Sequence, residues 1–303
     1  MATTRQSIIR GPGTVMFGGL KIHDSSGITA DIESSTQDIA SSVAGKLDTI
    51  KTDQTGKISL TPVGNITQAL LDLFFPAWMK KPVFGTSIMG ETDRPLVVSS
   101  RAGTKVTFAC AGLTKCPELQ LSPVKTAFGG IEFTAVVANG KLPGETGAFY
   151  AVAAAEYDGG EPSREGLSGC HYQATFGDLA IPDTQDGWTI TPELQLEPVG
   201  SDSQGTIDYT LSGVTVRASC TPLGLSEADI LAALPVGKGR GASLASSSDL
   251  VIAADGGLSV ALKNAALVTG PIQWGASQLR AGQLGFVANI AADGTLFDVS
   301  ISG

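Results

Sequence analysis

The sequence predicts a mainly β protein built from two tandem copies of one unit, each with a single short α-helix. Three observations lead there. Motifs return in order, the composition suits strands and turns, and one helix-capping pattern occurs once in each half. Phe17-Gly18-Gly19-Leu20-Lys21-Ile22 returns as Phe176-Gly177-Asp178-Leu179-Ala180-Ile181. Lys57-Ile58-Ser59-Leu60-Thr61-Pro62-Val63-Gly64 returns as Arg217-Ala218-Ser219-Cys220-Thr221-Pro222-Leu223-Gly224. Farther on, Gly103, Pro117, Gly129, Phe133 and Ala135 are matched by Gly257, Pro271, Gly282, Phe286 and Ala288. The repeat distance, about 160 residues early and about 154 late, far exceeds the roughly 20–50 of solenoid units. One domain is therefore duplicated, and its copies are not repeats in a stacked array.

The 303 residues suffice for two domains of ordinary size, and 42% hydrophobic content supplies a core for each. The 38 glycines suit short strands joined by turns. Charged residues make up only 16%, against about 25% in an average domain. Much of the surface is thus uncharged, as expected where other copies cover it.

After an arm at 1–10, the first unit is expected over 11–140. A strand at Thr14–Ile22 opens it, Asp24–Gly27 turns the chain, and Ala30–Ile39 pairs again. Ser41–Gly56 is rich in Ser, Gly, Thr and Asp, with isolated Val43, Leu47 and Ile50. It reads as a long hairpin tip, too polar for a core. Strand Lys57–Thr61 and a Pro62–Gly64 corner follow.

Asn65 is placed to cap the next helix, with Gln68 three residues on in the capping-box position. Ile66, Leu70, Leu71 and Phe74 form its apolar face, and Pro76 ends it. In the second copy Ser226 and Asp229 take the same roles before Ile230, Leu231 and Leu234, and Pro235 ends the helix.

Strands are then expected at Leu96–Ser99, Lys105–Ala111, Pro117–Leu121 and Gly130–Ala138, where apolar residues alternate with polar or small ones. The segment 141–169 carries Pro143-Gly144, Gly159-Gly160 and Pro162 and reads as a linker. Its middle, Phe149–Tyr157, can add an edge strand to either unit. The second unit, 170–303, has strands at Leu250–Ala253, Leu258–Leu262, Gly270–Trp274 and Leu284–Ile290. Lys80–Asp93 is shortened there to a Gly/Ser stretch, Gly237–Ser248.

Net charge is −9 and lopsided: residues 1–150 hold 14 basic and 12 acidic groups, residues 151–303 hold 6 and 17. The imbalance reads either as drift between duplicates or as unlike halves alternating around a ring, which brings surfaces of different charge together at each junction. No basic stripe of the kind that grips phosphates is visible.

Chemistry-bearing clusters are not expected. His23 and His171 are isolated, and Cys110, Cys116, Cys170 and Cys220 form no closely spaced metal pair. Cys170 and His171 are neighbours, which on a strand point to opposite faces. Gly237-Lys238-Gly239-Arg240-Gly241 lacks the Lys-Ser/Thr ending of a phosphate loop. Asn65-Ile66-Thr67 fits a glycosylation sequon, but the helix cap already accounts for Asn65. No catalytic, cofactor-binding or metal-binding residues and no cofactor are therefore expected. The polar Met1–Arg10 has no apolar h-region and no run reaches membrane-spanning length, so neither export by signal peptide nor membrane insertion is expected.

A set of segments in order resembles a known family. These are Gly11-Pro12-Gly13-Thr14-Val15, Gly45-Lys46-Leu47-Asp48 with Lys51-Thr52-Asp53, then Ile58-Ser59-Leu60-Thr61-Pro62-Val63-Gly64, and Leu73-Phe74-Phe75-Pro76 with Phe84-Gly85-Thr86-Ser87-Ile88. Together they look like the tail tube proteins of long-tailed bacteriophages. The resemblance covers most of the first unit and reaches the second through the repeat. It implies a β-sandwich or partial barrel flanked by one short helix in each unit. It also implies copies joined edge to edge in rings, and rings stacked into a hollow tube through which double-stranded DNA passes transiently. Implied partners are further copies of the chain and the tape measure, initiator or baseplate and terminator proteins at the tube ends. The implied location is the virion, with assembly in the host cytoplasm.

Two tube-like units in one chain depart from the common pattern and lead to an expected ring of three chains. The hairpin Ser41–Gly56 is expected to reach the adjacent ring, burying Val43, Leu47 and Ile50. Its counterpart near Gly200–Gly213 offers Ile207 and Leu211. The channel wall is expected to be acidic or neutral, so that DNA slides. The rival readings are a soluble two-domain binding or adhesin module and another tail component, such as a completion or baseplate hub protein. Aromatics at 6%, with Trp78, Trp188 and Trp274 scattered, disfavour the binding module.

Overall fold

The computed structural model describes residues 13–64, 66–90, 92–122, 126–157, 171–181, 183–234, 238–245, 248–270, 272–274 and 279–301. Within them the chain is mainly β, with several antiparallel sheets and three short helices. The first half contains β1 (Gly13–Phe17), β2 (Leu20–Asp24), β3 (Thr29–Ser41), β4 (Gly45–Leu60), β5 (Pro62–Val63), α1 (Gln68–Phe74), α2 (Ala77–Lys80), β6 (Leu96–Ser100), β7 (Thr104–Phe108), β8 (Cys110–Lys115), β9 (Leu119–Leu121), β10 (Thr126–Phe128), β11 (Ile131–Val136) and β12 (Tyr150–Ala154). The second contains β13 (Tyr172–Phe176), β14 (Leu179–Ile181), β15 (Asp183–Ser201), β16 (Gly205–Leu223), α3 (Glu227–Ala233), β17 (Leu250–Ala254), β18 (Leu258–Leu262), β19 (Ala266–Thr269), β20 (Ile272–Trp274), β21 (Leu279–Ala281), β22 (Leu284–Val287) and β23 (Phe297–Ile301).

In the first half, one sheet runs β12-β7-β6-β1-β2-β5 and another β3-β4-β11-β8. In the second half, one sheet runs β23-β18-β17-β13-β14. The remaining large sheet runs β10-β9-β15-β16-β22-β19 and takes strands from both halves. β20 and β21 form a separate hairpin. The middle of the expected linker is β12, paired with β7, so it belongs to a first-half sheet.

Apolar alternation sets the strand faces. In β18, Leu258, Val260 and Leu262 are buried while Ser259 and Ala261 between them are half-buried. One contiguous hydrophobic core spans both halves. Phe17 packs on Phe133 with ring centroids 4.8 Å apart, and Phe176 packs on Phe286 at 5.2 Å. Aromatic pairs at such separations are favourable beyond the area they bury.

Three local expectations are corrected. The segment 41–56 is not a loop: β4 begins at Gly45, and only Ser42–Ala44 turn the hairpin. All of 29–40 and 45–52 is exposed, so the ribbon has two wet faces and needs no apolar alternation, which is why its strands looked like loop. The strand expected over Lys105–Ala111 divides at Ala109 into β7 and β8, which lie in different sheets.

The third correction is the cap of α1. It is Thr67, whose Oγ1 accepts the Leu70 N–H at 3.3 Å. Asn65 lies outside the described residues, and Gln68 is the first helical residue, not a capping-box partner. Ile66, just before the cap, and Leu71, four positions after it, share the core. That is the spacing of a hydrophobic staple, which sets the entry of the chain. Gln68 is used instead by its Oε1, which accepts the Ile301 N–H at 2.9 Å, while its Nε2 donates to Asp72. In α3 the capping box is complete. Ser226 Oγ accepts the Asp229 N–H and Asp229 Oδ2 accepts the Ser226 N–H, both at 3.2 Å. The Ser226 hydroxyl also donates to Asp229 Oδ2 at 2.6 Å, and this bond, with that from the Ser226 N–H, holds the Asp229 carboxyl below its ordinary range.

Candidate functional site

Groups that commonly carry chemistry are dispersed or sealed. Among the described residues no three His, Cys, Asp or Glu gather where they can hold a metal ion, and no helix is long and apolar enough to cross a membrane. Burial pushes the thiols of Cys110 and Cys220 up to about 11 and about 12, and that of Cys116 higher still, so none forms a thiolate readily near neutrality. Cys170 lies outside the described residues. His23 sits on β2 opposite Val63, and His171 is exposed. Lys238 Nζ donates to the Ser243 carbonyl inside its own loop.

The most elaborate surface is the one where the first half holds the β15–β16 hairpin of the second. On one edge β9 pairs with β15 in the register Leu121↔Trp188, Gln120↔Thr189, Leu119↔Ile190. Gly187 makes this possible. Its φ is +86°, and a Cβ there falls 2.0 Å from the Leu121 carbonyl oxygen, so only glycine combines that backbone with that approach.

On the other edge a first-half loop pairs with β16. Gly85 N donates to the Leu211 carbonyl at 2.8 Å, Leu211 N to Thr86 at 3.0 Å, and Ile88 N to Tyr209 at 2.9 Å. Near the hairpin tip, Asp53 of β4 accepts the Thr206 N–H at 2.9 Å and the Thr206 hydroxyl at 2.7 Å. Partial burial opposes ionisation of Asp53. The hydrogen bonds from Thr206 and Gln54, with nearby Lys51, outweigh it and keep the carboxyl below its ordinary range.

The helical segment makes a third contact, with β23. Phe75 and Phe297 meet edge to face at 5.9 Å. Lys80 Nζ donates to the Val299 carbonyl at 3.1 Å, and the Leu296 N–H to the Lys80 carbonyl at 2.8 Å. Asp72 at 3.0 Å and Asp298 at 3.7 Å flank the ammonium.

The residues expected at ring-to-ring contacts fall into two groups. Val43, at 94% exposure, Leu47 and Ile50 stand out on the free β3–β4 ribbon. Ile207 is half-buried, and Leu211 is only 1% exposed because the loop carrying Gly85 and Thr86 lies along its strand. Leu211 is thus covered within one chain and needs no second ring to bury it, a correction to its assignment. Motif reading passed over Gly187, and it singled out Phe84-Gly85-Thr86-Ser87-Ile88 without expecting it to pair with β16. The available signal was Gly187-Trp188-Thr189 echoing Gly27-Ile28-Thr29 just before each ribbon.

No protein-family model matches this chain, and no curated protein matches its sequence.

Proposed function

We propose that this chain is a structural subunit of a bacteriophage tail tube. In this reading two descendants of one ancestral β-sandwich lie side by side in a ring, three chains contribute six units to each ring, and stacked rings enclose the channel that DNA traverses. The reading is carried by the equivalence of the halves, strand by strand. The order β12-β7-β6-β1-β2 is answered by β23-β18-β17-β13-β14, and β3-β4-β11-β8 by β15-β16-β22-β19.

The two long hairpins agree residue by residue. Their registers slip at Ser35/Thr36 and Ile39/Ala40 in one, and 160 positions later at Gln195/Leu196 and Val199/Gly200 in the other, which has a further irregularity at Thr184/Trp188, before the stretch that matches β3. Bulges at matching places support common descent of the two hairpins. The turns close alike, at Ser41↔Gly45 and Ser201↔Gly205, and the Phe17–Phe133 contact is repeated as Phe176–Phe286.

Exposed sheet edges ordinarily invite uncontrolled pairing. A closed ring makes that tendency the means of assembly. Among the described residues no three His, Cys, Asp or Glu gather where they can hold a metal ion, and the three tryptophans are scattered along the sequence. The test is electron microscopy of the purified chain at high concentration, with image averaging of any assemblies. Rings of three chains with near-sixfold outline, stacked into hollow tubes, are expected. A chain that stays solitary, or rings of six chains with the second unit as an outer layer, overturns the reading.

A further inference from the structure

We propose that the joint inside one chain is the template for the joint between chains: the second half of one copy grips the bare first-half ribbon of the next. This rests on the tube reading above and names the partner surfaces within it. Two of the contacts that hold the second half against the first have an uncovered counterpart.

The strand joint comes first. β9 and β10 lie between β8 and β11, and β20 and β21 lie at the matching place between β19 and β22. β9 pairs with its own hairpin partner and with β15, whereas β20 pairs with β21 alone among the described strands. β3, the counterpart of β15, is a sheet edge with Thr29–Ala40 exposed throughout. The glycine that admits β9 is also duplicated. Gly27 stands 160 positions before Gly187 with φ +110°, and a Cβ there meets nothing within 4 Å. The opening that Leu121 fills at Gly187 is empty at Gly27. Transferring the register puts Trp274 opposite Ile28, Gln273 opposite Thr29 and Ile272 opposite Ala30.

The helix joint is independent of the strands. Phe297 and Val299 of β23 are each 1% exposed beneath Phe75 and its segment. Their register equivalents on β12 are Tyr150 and Val152, opposite Phe108 and Val106, and these are 42% and 62% exposed. The segment equivalent to Phe75 ends at Leu234, just after α3, and is only half-buried. In the assembly Leu234 and the neighbouring exposed Leu231 cover Tyr150 and Val152.

Charge fits as well, since each joint brings the half with net +2 against the half with net −11. Such a contact is heterologous, and it closes into a ring when its rotation permits.

The experiment is a site-directed cross-link in a Cys170→Ser background, where the other three cysteines are buried. Thr29→Cys is combined with Gln273→Cys. Gln120→Cys with Thr189→Cys serves as the intrachain control, because those residues face each other in the folded chain. On oxidation the control is expected to close within the monomer. The joint pair is expected to convert the monomer band into covalent multimers ending at a closed species, which neither single-cysteine variant gives. Assemblies that form without interchain cross-links overturn the proposed joint and leave the tube reading standing. A cross-linked control with no assembly at any concentration overturns both. Hydrogen exchange on the unmodified chain gives a second reading: peptides covering 28–30 and 272–274 are expected to become protected on assembly, and unchanged exchange there overturns the joint.

Discussion

Phe75 and Phe297, 222 positions apart in sequence, meet edge to face with ring centroids 5.9 Å apart and planes at 86°. Each is 1% exposed, so the contact couples the halves through the core. Replacing either by alanine is expected to cost about 3–5 kcal/mol. Urea unfolding of Phe75→Ala, Phe297→Ala and the double variant is expected to show the double losing less than the two singles together, with a coupling of roughly 0.5–1.5 kcal/mol. Full additivity shows that the rings are buried separately.

Gly187→Ala places a methyl against the Leu121 carbonyl at a positive φ. The chain is expected to unfold at lower urea, with β9 released from β15 first. The readout is faster amide exchange in peptides covering 119–121 and 188–190 than in β18. Gly19→Ala, at φ +78° with open space around it, supplies the comparison, since it bears the backbone strain without the collision.

Asp53 ties β4 to the tip of the β15–β16 hairpin through Thr206. Its folded carboxyl titrates below the ordinary 3.8, so its stabilising contribution is present above that value and lost as pH falls through the folded one. The stability difference between the wild type and Asp53→Ala, followed by urea midpoints, is expected to hold from neutrality to about pH 4 and to shrink below it. A difference that stays constant down to the acid limit contradicts the carboxylate role.

Thr67→Ala removes the acceptor for the Leu70 N–H and is expected to cost about 1 kcal/mol. Ser226→Ala removes the hydroxyl that accepts the Asp229 N–H and donates to Asp229 Oδ2, leaves the backbone N–H bond to Asp229 in place, and is expected to cost about the same. Thermal melts of the two variants distinguish this from a cap at Asn65, for which Thr67→Ala is nearly neutral.

The sequence was legible where structure depends on near neighbours. The strand expected over Thr14–Ile22 is instead a hairpin, β1 and β2, because Gly18 turns the chain at φ +58°, a backbone that glycine takes without strain, and Gly177 repeats the turn at +57°. The helix stop at Pro76 was equally local, and so was the pairing of Ser226 with Asp229. The α1 cap was misplaced by two residues because Asn, Ile and Thr in a row offer two capping side chains, and burial of Ile66 selects between them. The pairing of Ala30–Ile39 was legible, but the hairpin tip was drawn too long, over Ser41–Gly56, because a strand wet on both faces carries no apolar period.

By itself the sequence determined a mainly β chain with a few short helices, and the places of α1 and α3 to within a few residues. Only the tertiary structure decided that β9 leaves its own half to pair with β15, that Leu211 is sealed inside one chain, and that Tyr150 and Val152 stand bare where Phe297 and Val299 are covered. The physical reason is range. Turns and caps answer to forces within a few residues, whereas the β9–β15 pairing and the Phe75–Phe297 contact join surfaces that lie far apart in the chain and meet only once the segments between them have folded.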